Sequence, residues 1–251
     1  MSPELKAAFD ATADQYQRGR PTYSEAAVDF AFEQLELGPW SHVLDLASGG
    51  GKLTGALAER AASTIAVEPL QHMRRVFSAS HPNIGIHEGS AEAIPMETSS
   101  VDAVFVGQAF HWFDPHAALN QIHRVTKPSG GMALLWNVRR DTQDWVKKVW
   151  DEIDPFDTTP RGSAERREKA VAETGLFQPL VFAKFPNPQK LTHEQVIARI
   201  ESVSFVSALE TRVRSDALDR IQQILETHPQ TRSTALLDMY YETDVYCYAR
   251  I

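Results

Sequence analysis

The chain has 251 residues, of which 43% are hydrophobic and 23% charged, and this composition argues against a disordered chain and favours one sizeable folded domain. Its net charge of −8 gives no general attraction to nucleic acid or to acidic membrane surfaces, so a small molecule is the expected partner. Cys247 is the single cysteine, which excludes an intrachain disulfide. No signal peptide or membrane span is visible in the sequence, so we expect a cytoplasmic protein. We expect it to be a monomer or a homodimer.

Hydrophobic periodicity predicts alternating helices and strands through the first 140 residues. A helix at 3–16 and the polar stretch after it form an N-terminal arm, residues 1–22. The predicted helices that follow lie at 23–37, from 53 onward, at 71–80 and at 115–127. The first predicted strand begins near residue 42, and the next ones lie at 64–68, 84–88, 100–108 and 132–136, with a turn at 127–131 before the last of them. This alternation is typical of a parallel sheet covered by helices.

The second half of the chain has a less regular pattern. Residues 141–175 have helical spacing with a break at 154–162, and a sixth strand is predicted at 181–185, ended by Pro186 and Pro188. Two helices are predicted at 192–209 and 215–227. A last strand at 236–250 would enter the sheet antiparallel and close it.

The segment from Val43 to Thr54 is the centre of the predicted site. A short apolar run is followed by small residues and then by helical spacing, which indicates a strand, a tight loop and a helix. Gly49 and Gly51 lack Cβ atoms, so a ligand can approach the loop backbone closely, and the N–H groups at the helix start face that ligand. The segment therefore predicts a nucleotide-like site.

Two common nucleotide sites fit this segment poorly. A phosphate-binding P-loop would need glycine and Ser or Thr where Leu46 and Leu53 stand. A dinucleotide fingerprint would need a third glycine at Thr54. Asp45, at the end of the strand, would repel a pyrophosphate but attract a cationic amino-acid group. These features favour S-adenosylmethionine as the ligand.

The segment Asp45–Gly51 resembles the Asp-x-Gly-Cys-Gly-x-Gly motif of class I S-adenosylmethionine-dependent methyltransferases, with Ala47 in place of Gly and Ser48 in place of Cys. Two further segments resemble the same family. They are Val101-Asp102, at the start of the fourth strand, and Lys127–Gly131, before the fifth. The motifs occur in the family's order, and the resemblance covers about residues 42–137.

The resemblance implies an α/β fold with a Rossmann-like, seven-stranded, mostly parallel sheet, helices on both faces and a helical lid. It implies a single methyltransferase domain, residues 1–251. Within that domain we expect an arm at 1–22, a cofactor-binding core at 40–137 and a helical lid insertion at 186–230.

The resemblance also implies that S-adenosylmethionine is the cofactor and S-adenosylhomocysteine the product. The glycine loop would hold the amino-acid part of the cofactor, the acid at the end of the second strand its ribose, and the loop after the third strand its adenine. That acid follows the first by 23 positions, close to the spacing of Rossmann-like folds. The cofactor-binding residues expected are Asp45, Ala47, Gly49, Gly51, Glu68, Ser90, Ala91 and Gln108.

His111 is the candidate catalytic residue because its segment follows the carboxyl end of a central strand, where open α/β sheets bind ligands. Its pKa near neutrality suits a general base, although a histidine beside aromatic residues is often only packed and hydrogen-bonded. His111, Asp114 and His116 match no metal-ligand spacing, so no metal is expected. The candidate substrate-binding residues are Tyr16, Arg20, Tyr23, Trp112 and Trp136.

Methyl transfer requires alignment of donor and acceptor more than it requires catalytic groups. The expected reaction is O-methylation of a small organic molecule, and a carboxylate suits it because that group is already ionised at neutral pH. The N-terminal arm and the aromatic segments resemble the small-molecule branch that includes trans-aconitate methyltransferases. The alternatives are a nicotinamide-dependent oxidoreductase and a non-catalytic S-adenosylmethionine-binding module.

Overall fold

The computed structural model describes residues 20–157 and 163–251. Its strands are β1 (His42–Leu46), β2 (Ser63–Val67), β3 (Gly85–His87), β4 (Val101–Gly107), β5 (Thr126–Arg139), β6 (Phe177–Leu191) and β7 (Leu237–Arg250). They form one sheet in the order β3-β2-β1-β4-β5-β7-β6.

The helices begin and end close to the predicted limits in the first half of the chain. They are α1 (Glu25–Gln34), α2 (Thr54–Ala58), α3 (Gln71–Ser80), α4 (Pro115–Val125), α5 (Asp144–Asp151), α6 (Ser163–Thr174), α7 (His193–Glu201), α8 (Ser204–Ser207) and α9 (Thr211–Thr227). Two short 3-10 turns lie at Phe110–Trp112 and Asp154–Phe156. Within the described residues, no helix has the length and apolar character needed to cross a membrane.

The sheet is mixed, with a parallel part built from the first five strands. β1 pairs in parallel with β2 and β4, β2 with β3, and β4 with β5. Two contacts show that β7 runs antiparallel to β5. Gly131, in the middle of β5, lies against the carbonyl of Tyr248, near the end of β7. Asn137, near the end of β5, accepts a hydrogen bond from Thr243, which comes earlier in β7. The predicted fold class and the antiparallel last strand are both confirmed.

Contacts divide the chain into two compact units. The sheet unit contains the described residues of Thr22–Asn137, Arg161–Phe185 and Thr243–Ile251. The helical unit contains the described residues of Met1–Pro21, Val138–Pro160 and Pro186–Glu242.

The core of the sheet unit follows the two-residue repeat of its strands. Leu44 and Val104 belong to a buried cluster with residues of α4 and α6, whereas Val43 and Phe105 belong to a second cluster with residues of α1. Since successive side chains of a strand point to opposite faces, the sheet is covered on both sides. Both faces are apolar, which explains why these strands are continuous hydrophobic runs in the sequence.

The helical unit has its own apolar cluster. Trp145 of α5, Ile200 of α7 and Ile221 of α9 are buried together in it. Arg199 is buried in the same unit, where its Nε donates to the Tyr241 hydroxyl at 3.0 Å. The predicted lid insertion, residues 186–230, falls within this unit.

Three predicted boundaries were wrong. The turn predicted at 127–131 lies inside β5, where the pairing with β4 shifts register between Val101 and Ala103. The sixth strand continues through Pro186 and Pro188, which β6 tolerates because it lies at the edge of the sheet. The helix predicted at 192–209 is two helices, α7 and α8, and the helix predicted at 3–16 lies outside the described residues.

Candidate active site

The carboxyl ends of β1 and β2 bring the first predicted residues together. The backbone N–H groups of Ala47 and Ser48 donate to the carbonyl of Val67, the last residue of β2, at 2.8 and 3.2 Å. The N–H of Gly49 donates to Glu68 Oε2 at 2.9 Å. The glycine loop after β1 is therefore tied directly to the acid after β2, as parallel neighbouring strands allow.

Glu68 is held in place by the backbone around it. Its second carboxylate oxygen, Oε1, accepts from the N–H of Leu70 at 2.8 Å, and Arg74 donates to the Glu68 carbonyl at 2.9 Å. Only 4% of the residue is exposed. These contacts orient the carboxylate toward the glycine loop.

Asp45 is the most perturbed acid of the site. It is 1% exposed, and the Thr54 hydroxyl donates to its Oδ2 at 2.5 Å. Burial raises the pKa of Asp45 to about 7, the Thr54 hydrogen bond opposes this increase, and the nearby Glu68 charge adds to it. A cationic ligand group next to Asp45 would favour its ionised form.

The loop backbone adopts the left-handed conformation at several positions. Gly49 and Gly51 have φ of 56° and 87°, and two non-glycine residues, Ala47 and Gln108, each have φ of 57°. Ala47 follows β1 and Gln108 follows β4. Strained backbone of this kind concentrates at ligand-binding sites.

His81 is a loop neighbour that the sequence reasoning missed. Its ring nitrogen Nε2 lies 3.0 Å from the Gly51 carbonyl oxygen, and a Cβ at Gly51 would overlap the ring. The ring also packs on Phe77, with 5.1 Å between centroids. The only sequence signal is the position of His81 directly after α3.

The Ser48 hydroxyl is buried in the loop and has no hydrogen-bond partner among the described residues. A buried polar group without a partner costs free energy, so a polar ligand atom beside Ser48 would relieve that cost. The composition of the site thus suits a polar ligand with a cationic group.

Ser90 and Ala91 lie in the loop that follows β3. Ser90 forms an isolated bridge with Ala93, and Ala91 is 3% exposed in the same apolar cluster as Leu46. Glu92 accepts from the backbone N–H of Asp114 at 3.0 Å. This loop is therefore connected to the start of α4, next to the segment that carries His111.

The residues predicted to lie near the acceptor follow β4. The backbone N–H of Gln108 donates to the Leu135 carbonyl at 2.9 Å, and its side chain donates to the Asn137 carbonyl at 3.0 Å. The Tyr23 hydroxyl lies against Gly107, where a Cβ would overlap it. The ends of β4 and β5 and Tyr23 therefore form one connected edge.

Three predicted aromatic residues lie near this edge. His111 is in the 3-10 turn, with its ring centroid 4.6 Å from that of Trp112. Trp112 and Trp136 are partly buried and pack against the same apolar cluster, together with Ala47 of the glycine loop. The structure thus brings His111, Trp112 and Trp136 to one side of the sheet unit.

Two predicted substrate residues are not part of this grouping. Arg20 belongs to the helical unit, where its Nη2 donates to the Ser202 carbonyl at 3.0 Å. Tyr16 lies outside the described residues.

Arg167 lines the same cavity as His111, and the sequence reasoning also missed it. It is 4% exposed, and its guanidinium lies 4.0 Å from the Tyr246 ring centroid and 5.0 Å from that of Trp136. A signal was available in the sequence. Arg167 precedes the buried Ala170 and Val171 by three and four positions, so it occupies the buried face of α6.

Comparison with known proteins identifies the relatives of this chain. Residues 44–134 match the family model of a methyltransferase domain. An uncharacterized methyltransferase of Mycobacterium tuberculosis is 32% identical over 254 residues, which cover 96% of this chain and 94% of the relative. A solved structure from Anaeromyxobacter dehalogenans, provisionally named a type II methyltransferase, has a TM-score of 0.72 at 21% identity and covers 92% of this chain and 97% of that chain. This last likeness shows a shared fold.

Two relatives match shorter parts of the chain and differ in the atom they methylate. A ubiquinone/menaquinone biosynthesis C-methyltransferase of Rubrivivax gelatinosus is 28% identical over 164 residues, 64% of this chain and 63% of the relative. A malonyl-[acyl-carrier protein] O-methyltransferase of Methylococcus capsulatus is 33% identical over 124 residues, 47% of this chain and 45% of the relative. With the motifs, the fold and a relative that matches along nearly its whole length, the chain belongs to the class I S-adenosylmethionine-dependent methyltransferases.

Proposed function

We propose that this enzyme binds S-adenosylmethionine across the carboxyl ends of β1, β2 and β4 and methylates a carboxylate oxygen of a small organic acid. The observation that carries the proposal is the direct link between the glycine loop and the second acid, the hydrogen bond from Gly49 to Glu68, next to the buried Asp45. Family membership argues against the nicotinamide-dependent alternative.

The residues of the site suit the cofactor. Asp45 would accept the cationic amino group, and the Ser48 hydroxyl would gain the polar partner that it lacks among the described residues. Glu68 would hold the ribose hydroxyls. Ser90 and Ala91, in the loop after β3, would contact the adenine. The backbone of Gln108, the residue after β4, would contact the methionine portion.

S-adenosylmethionine supplies a methyl group on a positively charged sulfur, which is already activated for displacement. A carboxylate oxygen forms the new bond to the methyl carbon while the carbon–sulfur bond breaks and its electron pair stays on sulfur, so no proton has to move. The chain's own task is to align the acceptor and to exclude water. His111, Trp112, Trp136 and Tyr23 are the residues that we assign to this task.

Calorimetric titration with S-adenosylhomocysteine, S-adenosylmethionine and NADH tests the donor site. We expect micromolar affinity for both adenosyl compounds and at least a tenfold weaker affinity in Glu68→Gln, which loses the charge but keeps the size of the side chain. The matched control is Glu97→Gln, because Glu97 is exposed and lies outside the site. Binding of NADH alone, or equal affinity in Glu68→Gln and the wild type, contradicts the proposal.

The methylated atom can be read from the product. Small carboxylic acids and their amides are incubated with donor that carries a tritiated methyl group, and the products are treated with mild alkali. A methyl ester releases labelled methanol, whereas a C-methyl or N-methyl product keeps the label. Because a carboxylate needs no base, we expect His111→Asn to retain turnover at pH 8 with a higher KM. Alkali-stable label, or no turnover in His111→Asn, contradicts carboxylate methylation.

A further inference from the structure

A narrow cavity lies beside His111 in the sheet unit. Its enclosed space is about 10 Å³, enough for about one water molecule, and the space including its open mouth is about 230 Å³. The cavity is lined by Phe110, His111, Phe113, Pro115, Arg166 and Arg167. All six belong to the sheet unit. Three of the lining residues are apolar and two carry a guanidinium, so the cavity combines a dry wall with positive charge.

The charge of Arg167 is poorly compensated within the part of the chain that the structure describes. Its Nε is buried and has no hydrogen-bond partner among residues 20–157 and 163–251. Its carboxylate contact is with Glu168, where Nη2 and Oε1 are 3.4 Å apart and the glutamate side chain is 66% exposed. Tyr248 also contacts the guanidinium, but burial raises the pKa of Tyr248, so its hydroxyl stays neutral.

The surroundings hold the Arg167 side chain in one orientation. The guanidinium is stacked on Tyr246 and lies near Trp136, and Trp136 and Tyr246 pack edge to face with 5.7 Å between their centroids. A buried charge that lacks a close counter-ion costs free energy unless a ligand supplies one. A rigid, planar arginine with an unused Nε–H suits the two-point binding of a carboxylate.

We infer that Arg167 is the specificity-determining residue that binds a carboxylate of the methyl acceptor, which enters the cavity beside His111 from its open mouth and places one oxygen atom in the enclosed space. This inference rests on the proposed function, and it names the residue that selects acidic acceptors over neutral ones. The carboxylate pairs with the guanidinium, and the acceptor's apolar part contacts Phe110 and Phe113. Arg166 adds positive charge at the same cavity.

Thermal unfolding of the full chain with matched acids and amides tests the inference. Succinate, benzoate and phenylacetate are compared with their amides at equal ionic strength, with and without S-adenosylhomocysteine. At an acid concentration of about ten times Kd, we expect at least one acid to raise the Tm of the wild type by about 3 °C more than its amide does. The difference should vanish in Arg167→Met and persist in Arg212→Met, because Arg212 is an exposed arginine of α9.

Further variants and readouts separate the possible failures. Arg167→Lys keeps the charge without the planar fork, so it should show a reduced but measurable preference for acids even if Arg167→Met does not fold. With an acceptor in hand, Arg167→Lys should raise KM at least tenfold and leave kcat within about threefold. No acid preference in the wild type, or the same preference in Arg167→Met, overturns the inference. If the wild type does not bind S-adenosylhomocysteine, the proposed donor site is wrong, and this outcome is distinct from a failure of the Arg167 inference.

Discussion

Burial of Asp45 should make the ligand-free enzyme less stable as pH rises. Its carboxyl has an ordinary pKa of 3.8, and burial raises that pKa to about 7 in the folded chain. Between these values the unfolded chain releases the proton while the folded chain retains it, so the free energy of unfolding falls from about pH 4 to about pH 7. At about 1.4 kcal/mol for each pKa unit, the full effect is about 4 kcal/mol.

Asp45→Asn removes this titration and keeps the size of the side chain. Urea unfolding at pH 5 and pH 8 should show that the stability of the variant relative to the wild type increases by about 3 kcal/mol between the two values.

Asp102→Asn is the control for the Asp45 prediction. Partial burial of Asp102 opposes its ionisation, but the His42 N–H and Lys127 together lower its pKa, so Asp102 is ionised throughout this pH range. Its variant should therefore differ from the wild type by the same amount at pH 5 and pH 8. A change of less than about 1 kcal/mol for Asp45→Asn would refute the assigned burial cost.

Three further predictions concern the sheet unit. Gly51→Ala should lower the free energy of unfolding by about 1–3 kcal/mol, because Gly51 has φ of 87° and a Cβ there would overlap His81. The control is Gly85→Ala, which should not lower it, because nothing lies within 4 Å of a Cβ at Gly85. Urea unfolding measures both variants. Burial raises the pKa of Cys247 to about 12, so the thiol of the folded chain is protonated at pH 8. Ellman's reagent should therefore modify Cys247 at least about 100-fold more slowly in the folded chain than in urea. Equal rates would refute this prediction. Asp114 accepts from two N–H groups at the start of α4, so Asp114→Ala should cost about 1 kcal/mol in thermal unfolding while Asp114→Asn costs less.

The parallel half of the fold was predictable because its strands are short apolar runs with both faces buried. Val43 and Leu44 are adjacent and both fully buried, on opposite faces of the sheet. The sequence could not predict how far β5 and β6 extend. Their outer residues pair at a register shift and at a sheet edge, where proline and glycine are tolerated, so local turn propensity gave the wrong boundary.

The proposed donor side of the site was more predictable than the proposed acceptor side. Asp45, Gly49 and Glu68 belong to one strand–loop–helix–strand unit, β1–α2–β2, so their spacing in the sequence indicates that they lie close together in the fold. Arg167 lies on a helix more than 50 positions after His111, although both line the same cavity. Residue spacing within a short segment cannot predict a contact between positions so far apart in the sequence. Only the arginine's place on an otherwise apolar helix face indicated that it was buried.

The left-handed backbone at Ala47 and Gln108 lowers the stability of the fold at the carboxyl ends of β1 and β4. Substitutions there can therefore change stability and activity in opposite directions. Each conformation costs about 1–2 kcal/mol for a residue that has a Cβ, and the buried strands on either side must supply that amount. Glycine at position 47 would relieve the cost at that position and would remove only the Ala47 methyl group, which packs against the apolar cluster. A more heat-resistant form of this enzyme is therefore accessible through the same loop that we propose as part of its cofactor site.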